Sequence, residues 1–372
     1  MRLSKSILNN LEAEAVNKIL LEDGYLGMGI EVGNFEQDLA DYLGIPNNNV
    51  VCVNTGTSAL HLAVETILES GDEILVPSLT FLSSYQAISA ARAVPISCEV
   101  YDDTLTIDLE DAASRITNKT KAIMCVHYAS NPARLNELYA FAKKYNLRII
   151  EDAAHAFGCK KNNKKIGSIG DIICFSFDGI KNITSGEGGA IVTSDQKVLN
   201  IVKDTRLLAI EKDSDKRYAG QRSWDFDVKR QGYRYHMSNI FAAIGRVQLS
   251  KFEKDFAPKR KLLAKKYFEL LKENKNIKLQ VIEDDVEIVP HIMPIRILNE
   301  KRDDLKSELE QHGIPTGIHY KPNHLLSYYG EGKIKLPITE KIYSELITLP
   351  IHPEITIEQV VNICKLINTH LK

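Results

Sequence analysis

The sequence lacks an apolar run long enough to cross a membrane, because none approaches the roughly 18 residues that a transmembrane helix needs. Residues 1–24 combine acidic side chains with an amphipathic period, which differs from the apolar block of a signal peptide. We therefore expect neither a membrane-spanning segment nor secretion.

The sequence also has no large excess of either charge and no cluster of cysteines. The formal net charge is −2 at pH 7, so nothing global indicates nucleic acid or an anionic membrane as a partner. The six cysteines are scattered, without a CxxC pair or a Cys/His spacing typical of a metal site. We expect no metal and a protein of the reducing cytoplasm.

Strand-like and helix-like segments alternate through residues 50–195. This alternation predicts an α/β large domain with a mostly parallel sheet covered by helices. In such sheets ligands bind beyond the carboxyl ends of the strands. Seven strands are expected, at Val50–Val53, Glu73–Val76, Val94–Val100, Ala122–Val126, Arg148–Ile150, Ile172–Phe177 and Gly189–Thr193.

The last third of the chain predicts a smaller α+β domain. A helix at Ser238–Lys251 is followed by a charged amphipathic stretch, Phe252–Lys272, that is expected to break near Pro258. We place the large domain at residues 1–250 and the small one at 251–372. The small domain is expected to contain strands Ile277–Val281 and Ile288–Ile297 and helices Arg302–His312 and Ile357–His370.

Lys181 stands on a short loop between two apolar strands, after Asp178 and Gly179 and before a glycine-rich turn. Burial lowers the pKa of an amine and makes it a usable nucleophile or base. A lysine that forms a Schiff base needs this property. A surface lysine in a hairpin loop explains the same spacing, so the residue alone leaves both interpretations open.

Two further segments place polar groups at predicted strand ends. Residues 54–60 read as a tight turn with Thr57 or Ser58 capping the next helix, which is either an ordinary cap or an anion site. Asp152 follows another strand and either caps a helix or holds a protonated ring nitrogen. His155, next in line, either packs in the core or contacts a ligand ring.

Together these segments match the needs of pyridoxal phosphate. That cofactor requires an anchored phosphate, an acid at its pyridine nitrogen and a lysine that holds its aldehyde as an imine. A phosphate-type turn, an aspartate and Lys181 supply all three.

With these segments the chain resembles the DegT/DnrJ/StrS family of sugar-nucleotide aminotransferases, in the aspartate aminotransferase superfamily of fold type I. The resemblance runs nearly end to end, and its lysine and aspartate blocks are specific together. It is carried by Asn54–Ala63, Gly71–Phe81, Glu151–Gly158, Phe175–Gly189, Gly232–Leu249 and Leu349–Pro350.

The resemblance implies a role for each matching residue. Lys181 forms the Schiff base and shuttles the proton, and Asp152 pairs with the pyridinium nitrogen. Further cofactor contacts are implied for Thr57, Ser58 and Ser176 at the phosphate, Phe81 and Ala154 at the two ring faces, and His155 beside the ring hydroxyl. His319, Tyr320 and His324 match the segment by which the small domain approaches the sugar.

The chain departs from the family at Arg234 and His236, where many members have asparagine and arginine. That asparagine typically reaches the phosphate of the neighbouring subunit's cofactor, so the resemblance implies a homodimer with its active site at the interface. Arg234 either takes over this contact, binds the donor's carboxylate or the substrate's pyrophosphate, or is structural.

The expected reaction moves the amino group of L-glutamate to a nucleotide-linked keto-deoxysugar for cell-surface polysaccharide synthesis. Likeness of residues 234–239 and 319–324 to enzymes that aminate C4 favours a dTDP-4-keto-6-deoxyhexose. A 3-keto isomer, a UDP or GDP carrier, and a non-enzymatic regulator that binds pyridoxal phosphate stay open. Related dehydratases have histidine in place of Lys181, and a desulfurase needs a reactive cysteine on a mobile loop.

Overall fold

The apolar runs of the sequence become most strands of the two larger sheets, and a third, small sheet is built from short polar strands. In the computed structural model, which describes residues 1–330 and 333–372, the strands are numbered along the chain. They are β1 (Val50–Val53), β2 (Glu73–Pro77), β3 (Val94–Cys98), β4 (Thr120–Val126), β5 (Arg148–Asp152), β6 (Lys160–Lys161), β7 (Lys164–Lys165), β8 (Ile172–Ser176), β9 (Gly189–Thr193), β10 (Ile277–Lys278), β11 (Val286–Glu287), β12 (Met293–Ile297) and β13 (Leu346–Leu349). The small third sheet has the strand order β11-β6-β7.

Helices fill the intervals between these strands. None of the helices in the described ranges is long and apolar enough to cross a bilayer. They are α1 (Asn10–Lys18), α2 (Ile30–Leu43), α3 (Gly56–Ile67), α4 (Leu82–Ala90), α5 (Leu109–Ser114), α6 (Leu135–Tyr145), α7 (Gln196–Thr205), α8 (Asp213–Tyr218), α9 (Asn239–Lys251), α10 (Ala257–Leu271), α11 (Arg302–Gln311), α12 (Pro337–Glu345) and α13 (Ile357–His370).

The large sheet has the strand order β1-β9-β8-β5-β4-β2-β3. β9 is antiparallel to both of its neighbours, and the remaining pairs are parallel. The carboxyl ends of β1, β2, β4, β5 and β8 therefore lie at one edge, together with the start of β9. The predicted α/β class and the seven-stranded, mostly parallel sheet are confirmed.

Both faces of this sheet are buried, which explains why its strands are continuously apolar. Successive residues of a strand point to opposite faces. In β1, Val51 and Val53 pack with α3, α4 and α7, whereas Val50 and Cys52 pack with α2, α6 and α9. The sheet is thus a central layer between two layers of helices.

A second, three-stranded sheet follows in the order β10-β12-β13, and α10, α11 and α13 cover it. A separate apolar cluster, which includes Leu79 and Val126 from the first sheet and Ile292 and Leu346 from the later chain, joins the two parts. The domain boundary near residue 250 stays a prediction.

Three local predictions for the later chain are wrong. The helix does not break at Pro258, because Phe252–Phe256 forms a π-helical turn and proline occupies the first turn of α10, where its missing N–H is not needed. The strand predicted at Ile277–Val281 ends at Lys278. The strand predicted at Ile288–Ile297 begins only at Met293.

A buried ion pair joins α2 to β1 and α8. The Arg206 side chain, which is fully buried, donates through Nη1 to Glu36 Oε1 at 2.7 Å and to the Cys52 carbonyl at 2.6 Å. The Tyr218 hydroxyl donates to the other Glu36 oxygen at 2.6 Å. Because both charges are desolvated, each depends on the other for compensation.

Replacement of Arg206 by methionine should leave the Glu36 carboxylate buried without its cation. We expect the free energy of unfolding to fall by about 3–5 kcal/mol, measured by urea titration followed by circular dichroism. The matched control is Lys229→Met, which breaks the exposed Lys229–Glu211 pair and should have little effect because water screens it. Equal effects of the two variants would contradict this role for Arg206.

Candidate active site

The strand-end edge of the large sheet gathers most of the residues singled out from the sequence. The register pairs Ser176 of β8 with Gly189 of β9, and Gly189 with Val53 of β1. The turn after β1 therefore lies beside Ser176. Asp152 ends β5, the next strand over, and Lys181 lies on the loop that connects β8 to β9.

The turn after β1 is tied by its own side chains. Thr55 caps α3, since its Oγ1 accepts a hydrogen bond from the Ser58 amide at 3.0 Å. Ser58 Oγ donates to Asn54 Oδ1 at 2.7 Å. The prediction that Thr57 or Ser58 caps this helix is wrong, because the helix already begins at Gly56 and Thr55 is its N-cap. Thr57 is exposed and Ser58 is buried at the helix N-terminus.

Two glycines allow this turn to pack closely against Ser176, and we call the group of Thr55, Gly56, Ser176 and Gly189 the glycine cup. A Cβ atom on Gly56 would lie 2.7 Å from Ser176 Cβ, and one on Gly189 would lie 2.5 Å from the Thr55 carbonyl oxygen. The backbone can approach Ser176 this closely only without side chains at these positions. Free N–H groups of the first turn of α3 and the Ser176 hydroxyl thus border one space, as an anion site requires.

Asp152 is buried at the centre of the edge. Ser84 Oγ donates to Asp152 Oδ2 at 2.8 Å, and the Ala154 amide donates to Oδ1 at 3.2 Å. Burial raises the pKa of Asp152 despite these two donors and the nearby Lys181. A cation brought to this carboxylate would offset its desolvation.

Lys181 presents its amine to the same space. Burial lowers the pKa of Lys181 to about 8, while the carboxylates of Asp152 and Asp178 act in the opposite direction. Its Nζ lies 3.3 Å from His291 Nε2. A larger fraction of this amine is therefore uncharged at neutral pH than for a lysine in water.

Aromatic and imidazole rings line the approach to Lys181. His155 Nε2 lies 3.1 Å from the Tyr320 hydroxyl, and its ring centroid is 4.6 Å from that of His291. Burial, with Lys181 nearby, lowers the pKa of His155 well below its usual value, so the ring is neutral. Phe81 is half exposed, 5.4 Å from the Tyr320 ring. Ala154 is partly exposed between these groups and Asp152.

The three residues predicted to contact the sugar do not come together. His319 and Tyr320 lie near Lys181, and burial together with Lys181 lowers the pKa of His319 to about 4. His324 is fully buried, with Nδ1 2.7 Å from Ser78 Oγ and Nε2 3.3 Å from Glu340. Its contacts anchor the loop to the end of β2, and its role as a sugar contact is still a prediction.

Arg234 lies next to the cup on an exposed face. The Asn54 amide Nδ2 donates to the Arg234 carbonyl at 3.4 Å, and the Asn54 backbone N–H donates to the Tyr235 carbonyl at 2.6 Å. The segment that carries Arg234 therefore runs along the end of β1. Burial and neighbouring arginines lower the pKa of His236 to about 4, so it does not replace an arginine's charge.

The model of the DegT/DnrJ/EryC1/StrS aminotransferase family matches residues 6–368. The chain belongs to this family. It is 36% identical to GDP-perosamine synthase of Escherichia coli O157:H7, over 97% of this chain and 96% of that one. It is 30% identical to dTDP-4-dehydro-2,3,6-trideoxy-D-glucose 4-aminotransferase of Saccharopolyspora spinosa, over 95% and 92% of the two chains.

A solved structure extends the likeness to the fold and the cofactor. The Streptococcus pneumoniae protein Spr1654 in its PLP-form aligns with a TM-score of 0.89 at 26% identity, covering 100% of this chain and 98% of that one. The chain is a sugar aminotransferase that depends on pyridoxal phosphate, and its substrates are an amino donor and a nucleotide-linked sugar.

The residues at the sheet edge fit this cofactor. Gly56 and Gly189 let the N-terminus of α3 pack closely against Ser176, which puts N–H groups and a hydroxyl side by side, as a phosphate site needs. Asp152 is a buried carboxylate that a protonated ring nitrogen would compensate. His155 Nδ1 is buried and has no hydrogen-bond partner among the described residues, so a polar group of a ligand can pair with it.

Sequence reasoning missed two residues of this site. Ser84 donates to Asp152 and lies 2.9 Å from Thr80 Oγ1, and its only sequence signal is a hydroxyl one helical turn after Phe81. His291 was missed because it lies in the apolar run Ile288–Ile297, which was interpreted as a strand. Its sequence signal is the preceding Pro290, which cannot donate to a sheet.

A buried polar network supports β5 from the other side. Cys125, His127 and Glu151 form a group of potential metal ligands within the described residues. The Glu151 carboxylate already pairs with His127 at 2.8 Å and accepts a hydrogen bond from the Tyr139 hydroxyl at 2.5 Å. Since Glu151 precedes Asp152, these bonds fix the strand end that carries Asp152.

A Gly56→Ala substitution should push the turn after β1 and Ser176 apart. Its Cβ would lie 2.9 Å from Ser176 Oγ and displace the hydroxyl. We expect the cofactor-free protein to bind pyridoxal phosphate about tenfold or more weakly, the effect of a local clash of 1–3 kcal/mol. Absorbance titration measures this affinity.

Gly27→Ala is the matched control, because a Cβ at Gly27 meets no atom within 4 Å. It should bind the cofactor like the unmodified chain. Unchanged affinity in Gly56→Ala would show that the cup does not hold the phosphate.

Proposed function

We propose that the protein transfers the amino group of L-glutamate to C4 of a nucleotide-linked 4-keto-6-deoxyhexose. The products are 2-oxoglutarate and the 4-amino-4,6-dideoxy sugar nucleotide. The observation that carries the proposal is the buried Lys181 amine, whose pKa is lowered to about 8, at the same sheet edge as Asp152. A base of this pKa suits proton transfer near neutral pH.

The following cofactor contacts are part of the proposal, and this geometry and the family likeness support them. Thr57, Ser58 and Ser176 hold the phosphate at the N-terminus of α3. Asp152 pairs with the pyridinium nitrogen, Phe81 and Ala154 lie at opposite ring faces, and His155 contacts the ring hydroxyl. When bound, pyridoxal phosphate supplies an electron-withdrawing ring and the carbon that carries the nitrogen between the two substrates.

Lys181 and Asp152 have different roles in the proposed reaction. Lys181 Nζ, as a free amine, removes the proton from Cα of the amino donor and returns a proton on the sugar side. The negative charge of Asp152 would keep the ring nitrogen of bound pyridoxal phosphate protonated, and that positive charge would stabilise the negative charge that this proton removal creates. The buried, neutral rings around Lys181 exclude water from its amine.

The sugar is expected to enter past Phe81 and Tyr320. The exposed Phe81 ring and the partly buried Tyr320 and His319 face the open side of the space around Lys181. Amination at C4 is supported by the relative named as a 4-aminotransferase of a dTDP sugar. We take dTDP as the first carrier to test.

A GDP-linked 4-keto sugar is the second candidate, favoured by the 36% identity to GDP-perosamine synthase. A 3-keto isomer and a UDP carrier are further alternatives. The lysine at position 181 argues against dehydration of the same sugars, since the related dehydratases have a histidine there.

We also propose a homodimer in which Arg234 reaches the neighbouring active site. Arg234 is exposed beside the cup of its own chain, and it stands where many family members have the asparagine that contacts the partner's cofactor phosphate. Its full charge would pair with phosphate more strongly than an amide. Binding of the donor's carboxylate or the sugar's pyrophosphate are the alternative roles.

A panel of keto sugar nucleotides with L-glutamate tests the proposed function. The purified protein should be yellow, its absorbance should shift on adding glutamate, and NMR should show a 4-amino product from the dTDP-4-keto-6-deoxyhexose. Lys181→Ala should be colourless and inactive. Product from only the 3-keto isomer would refute C4 amination, and product from only the GDP or UDP sugar would refute the dTDP carrier.

Mixed dimers test the role of Arg234. Lys181→Ala and Arg234→Met chains are each inactive or nearly so, but a hybrid dimer has one intact site if Arg234 acts across the interface. Unfolding and refolding an equal mixture should restore about a quarter of the unmodified activity. The control refolds each variant alone. No recovery in the mixture would place Arg234 in the site of its own chain, and full activity of Arg234→Met refolded alone would place it outside the site.

A further inference from the structure

His291 makes the hydrogen bond through which the described residues hold the Lys181 amine. Its Nε2 lies 3.3 Å from Lys181 Nζ, and the residue is 2% exposed. A protonated amine can only donate, so Nε2 must accept. A free amine that acts as a base also needs its lone pair available, which again requires Nε2 to accept rather than donate.

The position of His291 is fixed by its backbone. The His291 amide donates to Ser130 Oγ at 2.9 Å, and Ser130 Oγ donates to the His155 carbonyl. Arg260, buried under this segment, donates to the carbonyls of Pro290 and His291 at 3.1 and 3.4 Å. These bonds hold the segment outside β12 and direct the ring at Lys181.

His291 stays neutral in this setting. The titratable groups that act on it are Lys181, His155, Arg260 and His319, and burial with these neighbours lowers its pKa well below the usual value. With Nε2 accepting, the single ring proton is on Nδ1, and a second proton would lie on Nε2 directly against the Lys181 amine, 3.3 Å away.

We propose that His291 is a positioning residue for Lys181: its neutral Nε2 accepts a hydrogen bond from the amine and aims the amine's lone pair at the donor's Cα. The role rests on the proposed proton transfer by Lys181 but not on which sugar is the acceptor. A free lysine side chain has several rotamers, and a fixed acceptor selects one of them.

The first test measures the pKa of the Lys181 amine without catalytic turnover. The full-length protein is prepared in its pyridoxamine phosphate form and again without cofactor. Trace acetic anhydride is applied across a pH range, and mass spectrometry follows acylation of Lys181 with surface lysines as internal references. In the cofactor-free protein, Lys181 should gain reactivity through pH of about 8, well below the surface lysines.

His291→Met removes the acceptor, so the ammonium form of Lys181 should lose stabilisation. We expect the apparent pKa of Lys181 to fall further, by about one unit. His291→Gln, whose amide oxygen can reach the place of Nε2, should restore the original value. An unchanged pKa in His291→Met would overturn the proposal, and a raised pKa would show that His291 acts as a cation.

The second test follows exchange of the Cα hydrogen of L-glutamate with deuterium, by NMR, in the loaded enzyme. His291→Met should slow exchange by about 10–100-fold through loss of alignment, with little change in the KM for glutamate. His291→Gln should recover much of the rate. This exchange needs no keto sugar, so failure of the sugar assignment and failure of the role of His291 are distinguishable.

His352→Met is the matched control, because His352 is also buried and its ring nitrogens have no hydrogen-bond partner among the described residues. It should change neither the acylation profile nor the exchange rate. If His291→Met fails to fold, His291→Asn replaces it, since its amide ends short of Lys181 and predicts the same losses. Normal exchange in either folded variant would refute the proposal.

Discussion

Burial of one amine is the constraint on which the active site depends. Burial lowers the pKa of the Lys181 amine to about 8, which the proposed proton transfer near neutral pH requires. A buried amine needs polar groups nearby that stabilise it without forming a tight ion pair with it. Asp152 supplies a charge at the same edge, and His291 supplies a hydrogen-bond acceptor without a charge. The surrounding rings keep the space dry.

The large sheet makes this arrangement because its topology sends several strands to one edge. A parallel sheet buried on both faces leaves polar side chains only at the strand ends. The turn after β1, Asp152 at the end of β5 and the loop after β8 therefore meet, although more than 100 residues separate the first from the last. Loop residues 288–292 and 318–320, outside the strands of the second sheet, add two histidines and a tyrosine to the site, and one of these, His291, contacts Lys181.

Much of this could be predicted from the sequence. Strands β1 to β5, β8 and β9 were recognisable because each is a short apolar run between turn signals. Lys181 and Asp152 were recognisable because each follows such a run. The three segments together indicated the cofactor, and family likeness added the reaction class. Short strands such as β10 and the late start of β12 were misjudged, because apolar composition does not show whether a backbone has a pairing partner.

The sequence by itself determined the fold class and the enzyme family and predicted Lys181 as the base, since these follow from patterns along the chain. Only the tertiary structure decided that Thr55, rather than Thr57 or Ser58, caps α3, that His324 is fully buried, and that His291 contacts Lys181. Each of these depends on contacts between distant segments. Periodicity reports which face of an element is buried, but not which polar atom lies opposite another.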